Sequence, residues 1–187
     1  MRRRYRVLGV VSILLALAVV SLAIALSHDS PCGVPDPLAG DTQRMKAIVS
    51  RCYGPPEALK LEEIAKPIPE DNQVLVKVRA AAVNPLDWHY MRGEPYVMRL
   101  MSGLGQPADA RVGVDFAGTV EAVGKSVTRF KPGDEVFGGR SGAFAEYIAV
   151  REDRALVLKP ANLTFEQAAS VIWRSEERRV GKECRSR

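Results

Sequence analysis

Histidine and cysteine are scarce in this chain of 187 residues, which has only His28, His89, Cys32, Cys52 and Cys184. No two cysteines stand at the C-x-x-C spacing of a zinc ribbon or a redox dithiol, so neither is signalled. A glycine-rich G-x-G-x-x-G loop between a strand and a helix is also missing, and with it the usual cradle for a pyrophosphate. The sequence has no internal repeat. A basic face is lacking too. The net charge of +5 resides in the two ends, in Arg2, Arg3, Arg4 and Arg6 and in the arginines and lysine beyond Trp173. The body between them is weakly acidic, and basic and aromatic residues do not interleave, so nucleic acid is not an expected partner. Cys32 and Cys52 can pair only in an oxidising compartment. Spacing says nothing about their geometry, and two unpaired thiols are the expectation.

What is present at the N-terminus is an uncharged run from Val7 to Leu26 behind four arginines. About 20 helical residues match the ~30 Å of a bilayer's hydrocarbon core. Residues 1–26 are therefore expected to be a membrane anchor rather than a cleaved signal, whose apolar region is usually ~7–15 residues, although Ala23-Ile24-Ala25 would suit a peptidase. The arginines place the N-terminus in the cytoplasm by the positive-inside rule, giving a single-pass protein in contact with the lipid bilayer. That orientation sets the body opposite the compartment where nicotinamide cofactors are mainly found. Residues 27–44, with Pro31, Gly33, Pro35, Pro37 and Gly40, read as a linker. The segment from Arg174 to Arg187 has no apolar period, and its codons match a sequencing adapter. It is expected to be an artefact of the reading frame and is set aside from fold reasoning.

Residues 45–171 read as one mainly β domain. Short strands are expected at Met45–Val49, Leu59–Ile64, Gln73–Val83, Val114–Val123, Glu135–Phe137, Ala143–Val150 and Ala155–Leu158, punctuated by glycine and proline as in a barrel or sandwich. In the third, Val74, Val76 and Val78 alternate with Lys77 and Arg79, the period of a half-buried strand. Two short helices interrupt the strands. Asn84 caps the first, with Pro85 at a position where its missing N–H costs nothing. Thr164 and Gln167 form a capping box for the second, which also accounts for Thr164 in the sequon Asn162-Leu163-Thr164.

Three stretches together carry a family resemblance: Asn84-Pro85-Leu86-Asp87, then Gly113-Val114-Asp115-Phe116-Ala117-Gly118-Thr119-Val120-Glu121-Ala122-Val123, then Lys131-Pro132-Gly133-Asp134 leading to Glu135-Val136-Phe137-Gly138 and Gly142-Ala143-Phe144-Ala145-Glu146-Tyr147. From about Met45 to Val171 the chain resembles the GroES-like catalytic domain of the medium-chain dehydrogenase/reductase superfamily, on its zinc-independent quinone-oxidoreductase side. The resemblance implies a partly open β-barrel with short helices. It also implies a nucleotide-binding Rossmann domain that these residues do not supply, so the chain is expected to be a fragment, inactive alone.

Where zinc-dependent relatives carry cysteine, histidine and glutamate, this chain has Asn84, Val114 and Asp115, so no zinc is expected and alcohol oxidation is the weaker assignment. The implied chemistry is hydride delivery from NADPH to a quinone or enone. By resemblance Asn84 and Asp87 would hydrogen-bond near the nicotinamide ribose or carboxamide, and His89 could give a proton to the reduced product. Each has a plainer reading. Asn84 can be only a cap, Asp87 a charge favoured at a helix N-terminus, and His89 a surface residue beside Trp88 and Tyr90. A non-catalytic, membrane-tethered GroES-like binding module is the alternative from another class.

Overall fold

The computed structural model describes residues 2–35 and 37–171. The adapter-like segment, and with it Ile172 and Trp173, lies outside them. A helix α1 (Arg2–Ser27) is followed by β1 (Arg44–Ser50), β2 (Leu59–Ala65), β3 (Gln73–Ala82), α2 (Pro85–Arg92), a 3₁₀ turn (Tyr96–Met98) and α3 (Arg99–Ser102). Then come β4 (Asp115–Val123), β5 (Glu135–Gly139), β6 (Tyr147–Arg151), β7 (Leu156–Leu158) and α4 (Phe165–Ala169). The strands form an antiparallel pair β1–β2 and a five-stranded antiparallel sheet in the order β6-β3-β4-β5-β7. The domain is thus mainly sheet with short helices.

The valine alternation of β3 does build the core. Val74 and Val76 are fully buried with Phe116, Val136, Ile148 and Leu156, while Lys77 and Arg79 are exposed. The period is broken at Leu75, which is buried as well, and register shifts at Leu75/Val76 and Val78/Ala80 absorb the irregularity. Gly118 lets β4 approach β3: a Cβ there would meet the Lys77 carbonyl. The far face of the sheet is covered by α4, where Ala168 and Ala169 pack on Ala117 beside Leu163 and Phe165. Thr164 accepts from the Gln167 N–H at 3.2 Å and Gln167 Oε1 accepts from the Thr164 N–H at 3.0 Å, the expected capping box.

The strand expected at Ala143–Val150 begins only at Tyr147. Residues 143–146 instead cross to the small sheet, where Ile48 N–H donates to Phe144 O at 2.8 Å and Glu146 N–H to Lys46 O at 3.0 Å. An isolated bridge pairs Ala47 with Ala145. Backbone groups satisfied by two different sheets cannot form one continuous ladder, and that crossing closes the core.

Two further differences concern the segment after α1. Cys32 and Cys52 are joined in a disulfide with a Cα–Cα distance of 4.5 Å, contrary to the expectation of unpaired thiols. The reason is that residues 26–34 fold back onto the domain. Ser30 N–H donates to Gly105 O at 2.8 Å, Gly33 N–H to Arg51 O at 3.1 Å, and Arg51 Nη1 to Val34 O at 3.3 Å. The second is Arg99, a residue the sequence did not single out. It is 2 % exposed, and its guanidinium donates to the carbonyls of Leu26, His28, Arg92 and Gly93 while pairing with Asp29 at 2.8 Å. The rings of Tyr53 and Tyr96 flank it with centroids at 4.3 and 4.8 Å.

Candidate active site

The local sequence around Asn84 fixes one carboxylate. Asn84 Oδ1 accepts from the Leu86 N–H at 2.8 Å and, more weakly, from the Asp87 N–H at 3.4 Å. Asp87 Oδ2 returns the favour by accepting from the Asn84 N–H at 2.8 Å, so the first turn of α2 is closed by a reciprocal box. Gly93, at φ 63°, ends the helix in the left-handed region that glycine adopts without strain. A helix of about two turns, led by Pro85 and capped at both ends, thereby holds Asp87 at 8 % exposure.

Asn84 does more than cap. Its Nδ2 donates to Asp115 Oδ2 at 2.9 Å, joining the start of α2 to the start of β4. Asp115 is buried. Burial raises its carboxyl above the ordinary range, and the Asn84 amide offsets part of that rise. Asp87 is raised chiefly by burial, against the Asn84 N–H that lowers it, and is pushed up further by the charge of Asp115. Its Oδ1 is buried without a partner, and the residue lines a cavity of about 240 Å³. A buried carboxylate oxygen without a hydrogen-bond partner is costly, and the Val114 N–H, like that of Asn84, offsets part of the rise in the Asp87 carboxyl.

The cavity lies between α2, α3 and the 107–114 segment, with Tyr90, Met101, Arg111, Val114 and Ser141 among its lining residues. At its rim Arg111 forks onto Asp109, Nε to Oδ1 at 2.9 Å and Nη2 to Oδ2 at 2.7 Å. This pairing holds the Asp109 carboxyl below its usual range, against the partial desolvation that raises it. Gly113, at φ +90°, brings the backbone against the Phe144 ring where no side chain fits.

Of the residues expected to carry chemistry, Asn84 and Asp87 come together and Asp87 reaches the cavity. His89 does not line it. Its Nδ1 is 2.7 Å from Glu94 O, and its ring meets Trp88 edge-on at 5.0 Å. Asp115, Arg111, Asp109 and Tyr90 were not foreseen as site residues. Asp115 was visible only as a non-matching zinc position, and its link to Asn84 spans 31 residues. Among the described residues no group of three or more His, Cys, Asp or Glu side chains is placed to hold a metal ion.

Residues 70–161 match the alcohol dehydrogenase GroES-like domain. The chain is 40% identical over 137 residues to the quinone oxidoreductase of Sus scrofa, covering 72% of this chain and 39% of that protein. It is 39% identical over 140 residues to the chloroplastic NADPH-dependent alkenal/one oxidoreductase of Arabidopsis thaliana, covering 69% of this chain and 34% of that one. Among solved structures, the quinone oxidoreductase from Coxiella burnetii superposes with a TM-score of 0.61 at 34% identity, covering 70% of this chain and 41% of its own. The chain therefore spans about two fifths of the length of these relatives.

Proposed function

We propose that this chain, which belongs to the medium-chain dehydrogenase/reductase superfamily on its quinone-oxidoreductase-like side, supplies the acceptor-binding half of a zinc-independent, NADPH-dependent reductase of quinones or enones. The observation that carries the reading is Asp87, a buried carboxylate with one unpartnered oxygen on a residue that lines a cavity. The residues fit a nicotinamide cofactor, since Asp87 Oδ1 can accept from a ribose hydroxyl or a carboxamide N–H. Asn84 has its Oδ1 committed to the cap and its Nδ2 to Asp115, so it serves the cofactor by fixing Asp87 and the entry of β4. A reduced nicotinamide, when bound, supplies a hydride. The domain's part is to orient the acceptor against it and to exclude water. Tyr90 lines the cavity and His89 does not, so Tyr90 is the candidate to give a proton to a reduced acceptor.

The same reading includes α1 as a single-pass anchor. Gly9–Ser27 is the one helix among the described residues long and apolar enough to cross a membrane, and none of it is buried against the domain. Its basic flank at Arg2–Arg6 favours a cytoplasmic N-terminus.

Turnover requires a nucleotide-binding unit beside these residues. The 187-residue chain alone should not oxidise NADPH with 1,4-benzoquinone, and a fusion carrying such a unit after Val171 should. In that fusion Asp87→Ala should lower kcat/KM about tenfold or more, the worth of ~1.4 kcal/mol of transition-state binding. Turnover by the chain alone, or unchanged kinetics in the variant, would defeat the assignment.

A further inference from the structure

A second feature lies outside the Asp87 site. The 3₁₀ turn, α3 and the residues after it expose Val97 at 61%, Leu100 at 58%, Met101 at 91% and Leu104 at 57%. No acidic residue occurs between Glu94 and Asp109, and the single charge in that interval, Arg99, is turned inward. Apolar side chains grouped in this way on a short segment are unusual for a water-facing surface.

What the segment is tied to identifies its surroundings. Arg99 Nη1 donates to Leu26 O and to His28 O, both at 3.1 Å, so the patch is held where α1 ends. The end of α1 also lies against the Tyr96–Met98 turn. The Ser30–Gly105 backbone bond and the Cys32–Cys52 link prevent the domain from swinging away from that end. If α1 spans a bilayer, its last turn lies in the headgroup region, and these side chains lie at the same depth.

We propose that the Val97–Leu104 face is a bilayer-docking surface that seats the domain in the phospholipid interface beside the end of α1. The inference rests on the reading of α1 as a membrane anchor. It commits to lipid rather than to a second copy of the chain, because the patch is fastened to an apolar helix of membrane-spanning length. Tyr96, half-exposed at the edge of the patch with its ring against Arg99, has the amphipathic character found at such interfaces. Met101 belongs both to this face and to the lining of the Asp87 cavity, so the cavity mouth is turned toward the lipid.

The test uses the full chain in vesicles of phosphatidylcholine and phosphatidylglycerol. The photoreactive residue benzoylphenylalanine replaces Met101, Leu104, Leu15 or Leu61 in turn. Leu15 reports on the span itself, and Leu61, exposed on β2, serves as the water-facing control. After irradiation, mass spectrometry should find phospholipid adducts at Met101 and Leu104 at least about tenfold above Leu61. Adducts at Leu15 with only the Leu61 level at Met101 and Leu104 would overturn docking and leave the anchor standing. Adducts at Met101 and Leu104 without any at Leu15 would keep docking and remove the anchor. Chain-to-chain adducts at Met101 would assign the face to a second copy and reject the proposal.

Discussion

Asp87 sits where a carboxylate is hardest to keep charged. Burial, reinforced by Asp115, raises its titration above the ordinary range. A carboxyl raised in the folded state adds stability that is fully present below the unfolded pKa of about 4 and is lost as pH rises through the folded value. Asp87→Asn keeps an acceptor for the Asn84 N–H and removes the charge. The variant should therefore denature at a higher temperature than the parent at neutral pH, with the gap closing as pH falls through the raised folded value toward ~4. A lower melting temperature at neutral pH would contradict the assignment of burial as the dominant influence. Arg99 is the opposite case, a buried charge that is fully satisfied. Arg99→Met strands four carbonyls and releases Asp29, which should cost about 3–5 kcal/mol by chemical denaturation. Arg99→Lys cannot fork onto the same carbonyls, and it should recover only a minor part of that loss.

Among the elements, α2 depends on its first turn. Asn84→Ala removes the cap, which alone costs about 0.5–2 kcal/mol, and it also frees Asp115 from its only side-chain donor among the described residues. The loss should exceed that of Thr164→Ala at α4, where the cap is exposed. Comparing the two midpoints checks the difference. Both caps were readable in the sequence because a cap and its third residue lie within one turn. The strands were readable for a similar reason, since alternation needs only neighbours. The 3₁₀ turn and α3 were not legible. Their register is fixed by Arg99, whose partners Leu26 and His28 lie 73 and 71 residues earlier. The Asp87 half of the site was legible through Asn84, whereas Asp115, Arg111 and Tyr90 join it only once β4 and the 107–114 segment have folded against α2.

At the scale of the whole molecule, the disulfide is compatible with the proposed anchor. Bonds of this kind persist in oxidising compartments, and an α1 that spanned a membrane with its arginines in the cytoplasm would put the domain on the other side. Non-reducing peptide mapping of membranes should recover Cys32 joined to Cys52, and a membrane-impermeant protease added outside should digest the domain. Cys32→Ser, opening a loop with a sequence separation of 20, should lower stability by about 3 kcal/mol. The strand order also has a consequence in time. During synthesis α1 emerges first, and β3 can pair with β4 soon after, but its other neighbour β6 and the edge strand β7 are the last strands made. Until Tyr147–Arg151 leaves the ribosome, β3 presents an unpaired edge, the kind of surface that recruits chaperones and invites aggregation. A chain already held by its first helix would pass through that vulnerable interval confined to a membrane surface rather than free in solution.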